Sequence, residues 1–343
     1  MTETFASYSL IAVYSAMAIY TIAFVLFAVD LARRSAESGD AAEASATGLT
    51  AASARSARVV SSSVGGSAAG STATLAADKA ADKAAGSGPT APHAGSPKYL
   101  RLAVAMTVIA WVLHVGAVVL RGVAATRVPW ANMFEFTLTA TALIIGVFLV
   151  VQLWQDLRFL GAFITGFALI ALGVGTSNFY VDVVPLPPAL QSAWLVIHVF
   201  VASLSTGFFA LAAGLSIVQL MQARRETGKA LKLRFLDTLP ATDRLETLAY
   251  RLAVVGFVMW TFTLMAGAIW AERAWGRYWG WDTKEVWTFI IWTIYAGYIH
   301  ARATRGWRGS RSAWLAIVGL AAIVFNFTIV NLFFKGLHSY SGL

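Results

Sequence analysis

The 343-residue chain has no cysteine. Disulfides, thiolate metal sites and a cysteine nucleophile are therefore excluded. Charge is scarce too, since Asp, Glu, Lys and Arg make up 13% of residues against 58% hydrophobic. That balance excludes a string of soluble domains and predicts an all-α, polytopic integral membrane helix bundle. The deep parts of the apolar runs hold no acidic residue, which argues against a transporter coupled to intramembrane carboxylates. The net charge of +9 signals no nucleic-acid partner, because its distribution over the loops follows the positive-inside rule.

Eight apolar runs are present, at 8–29, 100–120, 133–153, 158–176, 192–221, 250–270, 286–303 and 312–334. Each suits a bilayer whose hydrocarbon core is roughly 30 Å thick. No Lys or Arg precedes the first run and no small-residue cleavage site follows it, so it reads as an uncleaved span. Of the 26 Lys and Arg residues, only Arg121, Arg127, Arg273, Arg277, Lys284 and Lys335 fall on the side of the N-terminus. The other twenty lie opposite, which predicts both termini outside and the 270–287 loop outside with them. Three regions follow: a first transmembrane helix at 1–32, a linker at 33–98 and a seven-helix domain at 99–343. The linker is Ala-, Gly- and Ser-rich with few large aliphatic residues, so it is expected to be disordered and cytoplasmic.

Aromatic residues are concentrated rather than scattered. Residues 270–287 contain Trp270, Trp275, Trp279, Trp281 and Trp287, with Tyr278 and the spacers Gly276 and Gly280. One or two tryptophans per helix end make an interfacial belt; this stretch has several more. Indole faces separated by glycine suit a flat, apolar, polarizable ligand, and a porphyrin fits that description.

The histidines sort by depth. His198 lies just inside the outer end of the fifth run and His338 just past the outer end of the eighth, both level with the Trp-rich loop. Two imidazoles can ligate haem iron from opposite faces. His300, near the inner half of the seventh run, is either an intramembrane ligand or an interfacial residue beside Arg302 and Arg305. His114 reads as a satisfied bundle-interior histidine, and His93 in the linker is expected to have no ligand role. Asp282 and Glu285 match a capping box for the seventh span, a role compatible with Asp282 also serving the site. Glu135 is either a helix-start acid or part of the site.

The run Trp275-Gly276-Arg277-Tyr278-Trp279-Gly280-Trp281-Asp282 resembles the WWD signature of haem-handling membrane proteins. The resemblance is closest to the CcsA/ResC family (CcsB in some bacteria) of system II cytochrome c biogenesis. It is carried further by Asn132-Met133-Phe134-Glu135, the Trp194-to-Val199 stretch, Tyr298-Ile299-His300 and Gly336-Leu337-His338-Ser339-Tyr340. The resemblance implies that His198 and His338 are external axial ligands of haem b, and that His300 ligands haem within the membrane. It implies that Trp275, Trp279, Trp281 and Asp282 present haem to an incoming apocytochrome c, with Trp270 and Glu135 completing the haem-binding set. It further implies a Ccs1/ResB-type membrane partner, which nothing in this chain resembles, and a plasma-membrane location with the site on the outer face. The 33–98 segment departs from the family pattern.

Overall fold

A computed structural model describes residues 2–62, 97–186, 188–228, 233–304, 307–334 and 336–338. Among them there is no strand, and the helices are α1 (Thr2–Ser62), α2 (Pro97–Ala125), α3 (Met133–Val151), α4 (Gly161–Asn178) and α5 (Ala193–Glu226). After these come α6 (Thr242–Trp275), α7 (Thr283–Ala303), α8 (Ser310–Phe327) and the short α9 (Ile329–Phe333). Seven of the helical segments are long and apolar enough to cross a membrane. The expected eighth is α7, 21 residues long, whose ends carry Lys284, Glu285, His300 and Arg302 and so dilute its apolar character. The result is the polytopic helical bundle expected from composition.

The first helix is longer than its apolar run. Disorder was expected from residue 33, but α1 continues to Ser62. The segment is rich in alanine, the best helix former. The remainder of the linker at 63–96, His93 included, lies outside the described residues.

Small residues set the first contact. Ala103, Ala110, Ala117 and Ala124 recur every seventh position of α2 and are all buried. A seven-residue repeat keeps one stripe facing one neighbour, and alanine lets membrane helices approach closely. The α1 face against it carries Val13, Ala16, Tyr20, Ala23 and Phe27, also buried. Ser9 Oγ donates to the Ala117 carbonyl at 2.8 Å across this contact.

Two apolar cores result. The larger joins α1 to α4 with one side of α5 and the start of α6, and the second joins the opposite side of α5 with the rest of α6, α7 and α8. Helix α5 is the shared wall: Leu211 and Leu215 face the first core, Phe209 and Ala212 the second. The chain's alternation brings the start of α5, the end of α6 and the start of α7 to one end of the bundle. The end of α5, the start of α6, the end of α7 and the start of α8 meet at the other.

Candidate functional site

The Trp-rich loop is held in shape mainly from one residue. Helix α6 stops at Gly276, whose left-handed φ of 70° lets its N–H return to the Glu272 carbonyl at 2.7 Å. Glu285, buried in the first turn of α7, then gathers the loop's donors. Its Oε2 accepts from the Gly280 N–H at 2.8 Å and the Asp282 N–H at 3.0 Å, and its Oε1 pairs with Arg277 at 3.4 Å. The Asp282–Glu285 capping box anticipated from sequence is therefore present. Trp281 has φ 60°, a sparsely populated conformation for a bulky side chain, as functional loops often hold.

Beside the loop, between the two cores, lies a cavity of about 390 Å³. That falls in the size range of cofactor and small-molecule sites, roughly 300–1,000 Å³. Its wall is mostly apolar, with Met133, Phe136, Phe167, Trp260 and Phe327 among its members. His198, His338, Trp270 and Lys284 also line it. Ile170 and Val174 belong both to this wall and to the bundle's exposed surface, so the cavity reaches the lipid-facing side of α4.

The two imidazoles are oriented alike. His198 Nδ1 lies 2.9 Å from the Thr263 carbonyl oxygen. A carbonyl only accepts, so Nδ1 carries the proton and Nε2 keeps its lone pair. His338 Nδ1 lies 2.6 Å from Asp282 Oδ2. Its bond from His338 holds the Asp282 carboxyl below the usual carboxylate range, while burial pulls the His338 imidazole down despite that bond. An ionised carboxylate facing a neutral imidazole again makes Nδ1 the donor and leaves Nε2 bare. Among the described residues neither Nε2 makes a hydrogen bond. A histidine fixed through one nitrogen with the other free is the usual arrangement for metal ligation. Both rings also contact one indole: Trp270 stacks on His198 at 6.0 Å and 19°, and meets His338 edge-on at 5.5 Å.

Two glycines make these positions possible. A Cβ at Gly267 of α6 would fall 2.7 Å from the His198 Cε1. One at Gly336 would fall well inside contact distance of the Asp282 carboxylate, so the tail reaches that carboxylate only because residue 336 has no side chain.

The other expected residues are distributed differently. Trp275 does not line the cavity but packs edge-on against Trp270 at 4.8 Å and His338 at 4.7 Å. Trp279 and Trp281 meet each other at 5.9 Å and 90°, away from the cavity wall, and Trp281 is 74% exposed. Glu135 is fully buried but off the wall. It pairs with Arg121 at 3.0 Å and Arg127 at 2.6 Å and accepts from the Ala131 N–H at 3.0 Å. Those arginines also donate to the Val181 and Val184 carbonyls, so the cluster clasps the 181–184 loop to the start of α3. His300 is exposed in the last turn of α7, away from the cavity. His114 is fully buried, with Nε2 2.9 Å from the Leu138 carbonyl and the Tyr20 hydroxyl near Nδ1. It is satisfied as a bundle-interior residue.

Sequence reasoning missed Lys284, Asn331, Gly267 and the Thr263 carbonyl. Lys284 was read only as a topological charge, although its place directly after the Trp run was a usable signal. A backbone carbonyl and a packing glycine leave no signal in a single sequence.

Comparison with known proteins bears directly on this geometry. The Cytochrome C assembly protein family matches residues 100–338, from α2 through His338. The chain belongs to that family. It is of the CcsA type. A cytochrome c biogenesis protein CcsA from Synechococcus sp. (strain CC9902) is 35% identical over 276 residues, covering 71% of this chain and 87% of that protein. A CcsA from Guillardia theta is 33% identical over 232 residues, with 63% and 77% covered. A CcsA from Parasynechococcus marenigrum (strain WH8102) is 40% identical over 179 residues, covering 46% of this chain and 58% of that protein.

Proposed function

We propose that this membrane protein delivers haem b to apocytochrome c and takes part in its covalent attachment on the outer face of the plasma membrane, together with a Ccs1/ResB-type partner. One observation carries the reading: two histidines bare at Nε2 line one apolar cavity, each tied through Nδ1. A porphyrin suits that wall, and bis-imidazole ligation protects its iron. A membrane protein whose relatives are cytochrome c biogenesis proteins handles haem as cargo in this reading.

The chain's residues would hold the macrocycle still while the substrate does the chemistry. Each thiol of a Cys-x-x-Cys-His segment adds across a vinyl group: sulfur bonds one vinyl carbon, the thiol hydrogen goes to the other, and no electrons are lost. The absence of cysteine in this chain fits, because both sulfurs come from the substrate. Holding the two groups in register supplies a large part of the rate. One imidazole must yield its place to the substrate's own histidine. His338 suits that exchange, since it sits on a short tail held to Asp282. His300 lies off this cavity in the last turn of α7, and in this reading it is a separate ligand within the membrane, completed by the partner.

A second reading, a haem exporter or chaperone with no attachment activity of its own, uses the same two ligands. Absorption spectroscopy of the purified protein tests the shared core: bis-histidine haem is expected in the wild type and absent from His198→Ala and His338→Ala. Normal haem content in both variants overturns the reading. Reconstitution with an apocytochrome, with and without the partner, separates attachment from mere delivery.

A further inference from the structure

We infer that Lys284 is the cation that takes a carboxylate of the tetrapyrrole and so fixes which edge of it faces the reacting side. This deepens the haem reading and rests on it. Lys284 lies on the cavity wall with His198 and His338. No Asp or Glu oxygen comes within 4.0 Å of its ammonium among the described residues. Asp282, two positions before it, is engaged by His338, and Glu285, next to it, is engaged by the loop and Arg277. What Lys284 does have is a close hydrogen bond from Nζ to Asn331 Oδ1, and Asn331 is itself on the cavity wall.

An ammonium has three donors, and a neutral amide takes one without cancelling the charge. A cation on an apolar wall is costly unless an anion arrives to meet it. The sequence could have kept this position neutral, because the helix cap is supplied by Asp282 and Glu285. Haem b carries two propionates along one edge and its vinyl groups toward the other. A propionate on Lys284 would therefore hold the vinyl edge away from it, toward the incoming thiols. Asn331 would steer the ammonium, tying the start of α7 to α9.

Iron protoporphyrin IX and its dimethyl ester discriminate this role from a structural one, because the ester has the same ring and iron but no carboxylate. Both are titrated into wild-type, Lys284→Gln and Lys284→Arg protein, and affinity is read from the Soret band. The expected result is that Lys284→Gln weakens haem binding by about tenfold or more, the scale of one charge-assisted contact, while ester binding stays within error. Lys284→Arg should restore most of the haem affinity. Equal weakening of both ligands by Lys284→Gln would make Lys284 only a tie between α7 and α9, and no change in either would remove it from the site; both overturn the inference while leaving the haem reading intact. A wild-type protein that binds neither ligand would sink the haem reading, and this inference with it.

Discussion

At the end of the bundle away from the Trp-rich loop, Glu246 in the first turns of α6 is saturated. It forms an ion pair with Arg302 of α7 at 2.9 Å and accepts the Gly309 N–H at 2.9 Å. Ser312 and Gln219 lie 3.5 Å from its oxygens. At the loop end Asp282 is the corresponding acid, partly buried, yet its partner His338 offers only one nitrogen to it and keeps the other bare. Both acids join helix ends. The first has partners around both of its oxygens, and removing it should cost stability alone. The second ends in an unused lone pair over a cavity, which stability does not require. Satisfaction of polar groups is the ordinary state of an interior, and an imidazole nitrogen left bare on a cavity wall with its other nitrogen tied is where a metal-bearing ligand is expected.

The largest expected effects test that contrast at the bare nitrogens. His198→Ala and His338→Ala should each lower haem retention by orders of magnitude and abolish cytochrome maturation, while leaving the amount of inserted protein unchanged. Added imidazole should restore part of the Soret absorption by filling the vacated position. Next comes the saturated end. Glu246→Ala leaves the partly buried Arg302 without its anion, a change for which about 3–5 kcal/mol, the cost for a fully buried pair, is the upper bound. It should lower the thermal midpoint in detergent strongly, yet haem affinity measured well below that midpoint should match the wild type. Equal losses at both ends would mean that the bundle is one cooperative structure and the contrast is false.

A middle range of effects sharpens the loop end. Asn caps helices about as well as Asp, so Asp282→Asn should insert normally. It weakens the support of His338, and outer-shell partners of metal-bound histidines are typically worth about 10–100-fold in affinity. Haem titration should therefore show a loss in that range with an unchanged thermal midpoint. Gly267→Ala acts on the other ligand by pressing a methyl onto the His198 ring. Overpacking of that kind commonly costs about 1–3 kcal/mol, to be read as weaker haem binding with a shifted Soret maximum. A variant with wild-type spectrum and affinity would show that the ring has room it does not have here.

Much of this was legible in the sequence, for identifiable reasons. Run lengths and the one-sided Lys and Arg distribution gave the helical bundle, and the same alternation placed His198, Trp270 and His338 at one level before any contact was known. What stayed hidden depends on three-dimensional approach. Lys284 looks like an ordinary outer charge until the cavity beside it is seen. Glu285 looks like half of a capping box, whereas it also fastens Gly280 and Arg277. The density of tryptophans suggested one continuous shelf, but helix geometry splits it. Trp270 lies in the last turns of α6 and faces inward, while Trp279 and Trp281 fall after Gly276, where the chain has left the helix and turned to the surface. The alanine-rich continuation of α1 to Ser62 follows helix propensity, which a count of large aliphatic residues does not register.

The smallest expected change in haem affinity follows from that split. Trp281 is 74% exposed and off the cavity wall, so Trp281→Ala removes little apolar contact from bound haem, and affinity should stay within about a factor of two or three, the usual scale for a surface substitution. Its left-handed backbone even predicts no loss of stability from a smaller side chain. An indole held at the surface should instead matter to whatever docks on this loop. Cytochrome maturation should then fall in Trp281→Ala while haem content stays normal, and Trp281→Phe should recover most of it by restoring an aromatic face. By contrast Trp270→Ala, which strips a ring touching both imidazoles, should empty the site first and lose maturation as a consequence. If Trp281→Ala lost haem and maturation in the same proportion as Trp270→Ala, the two rings would form one binding surface after all, and the loop would have to fold over the cavity when haem is bound.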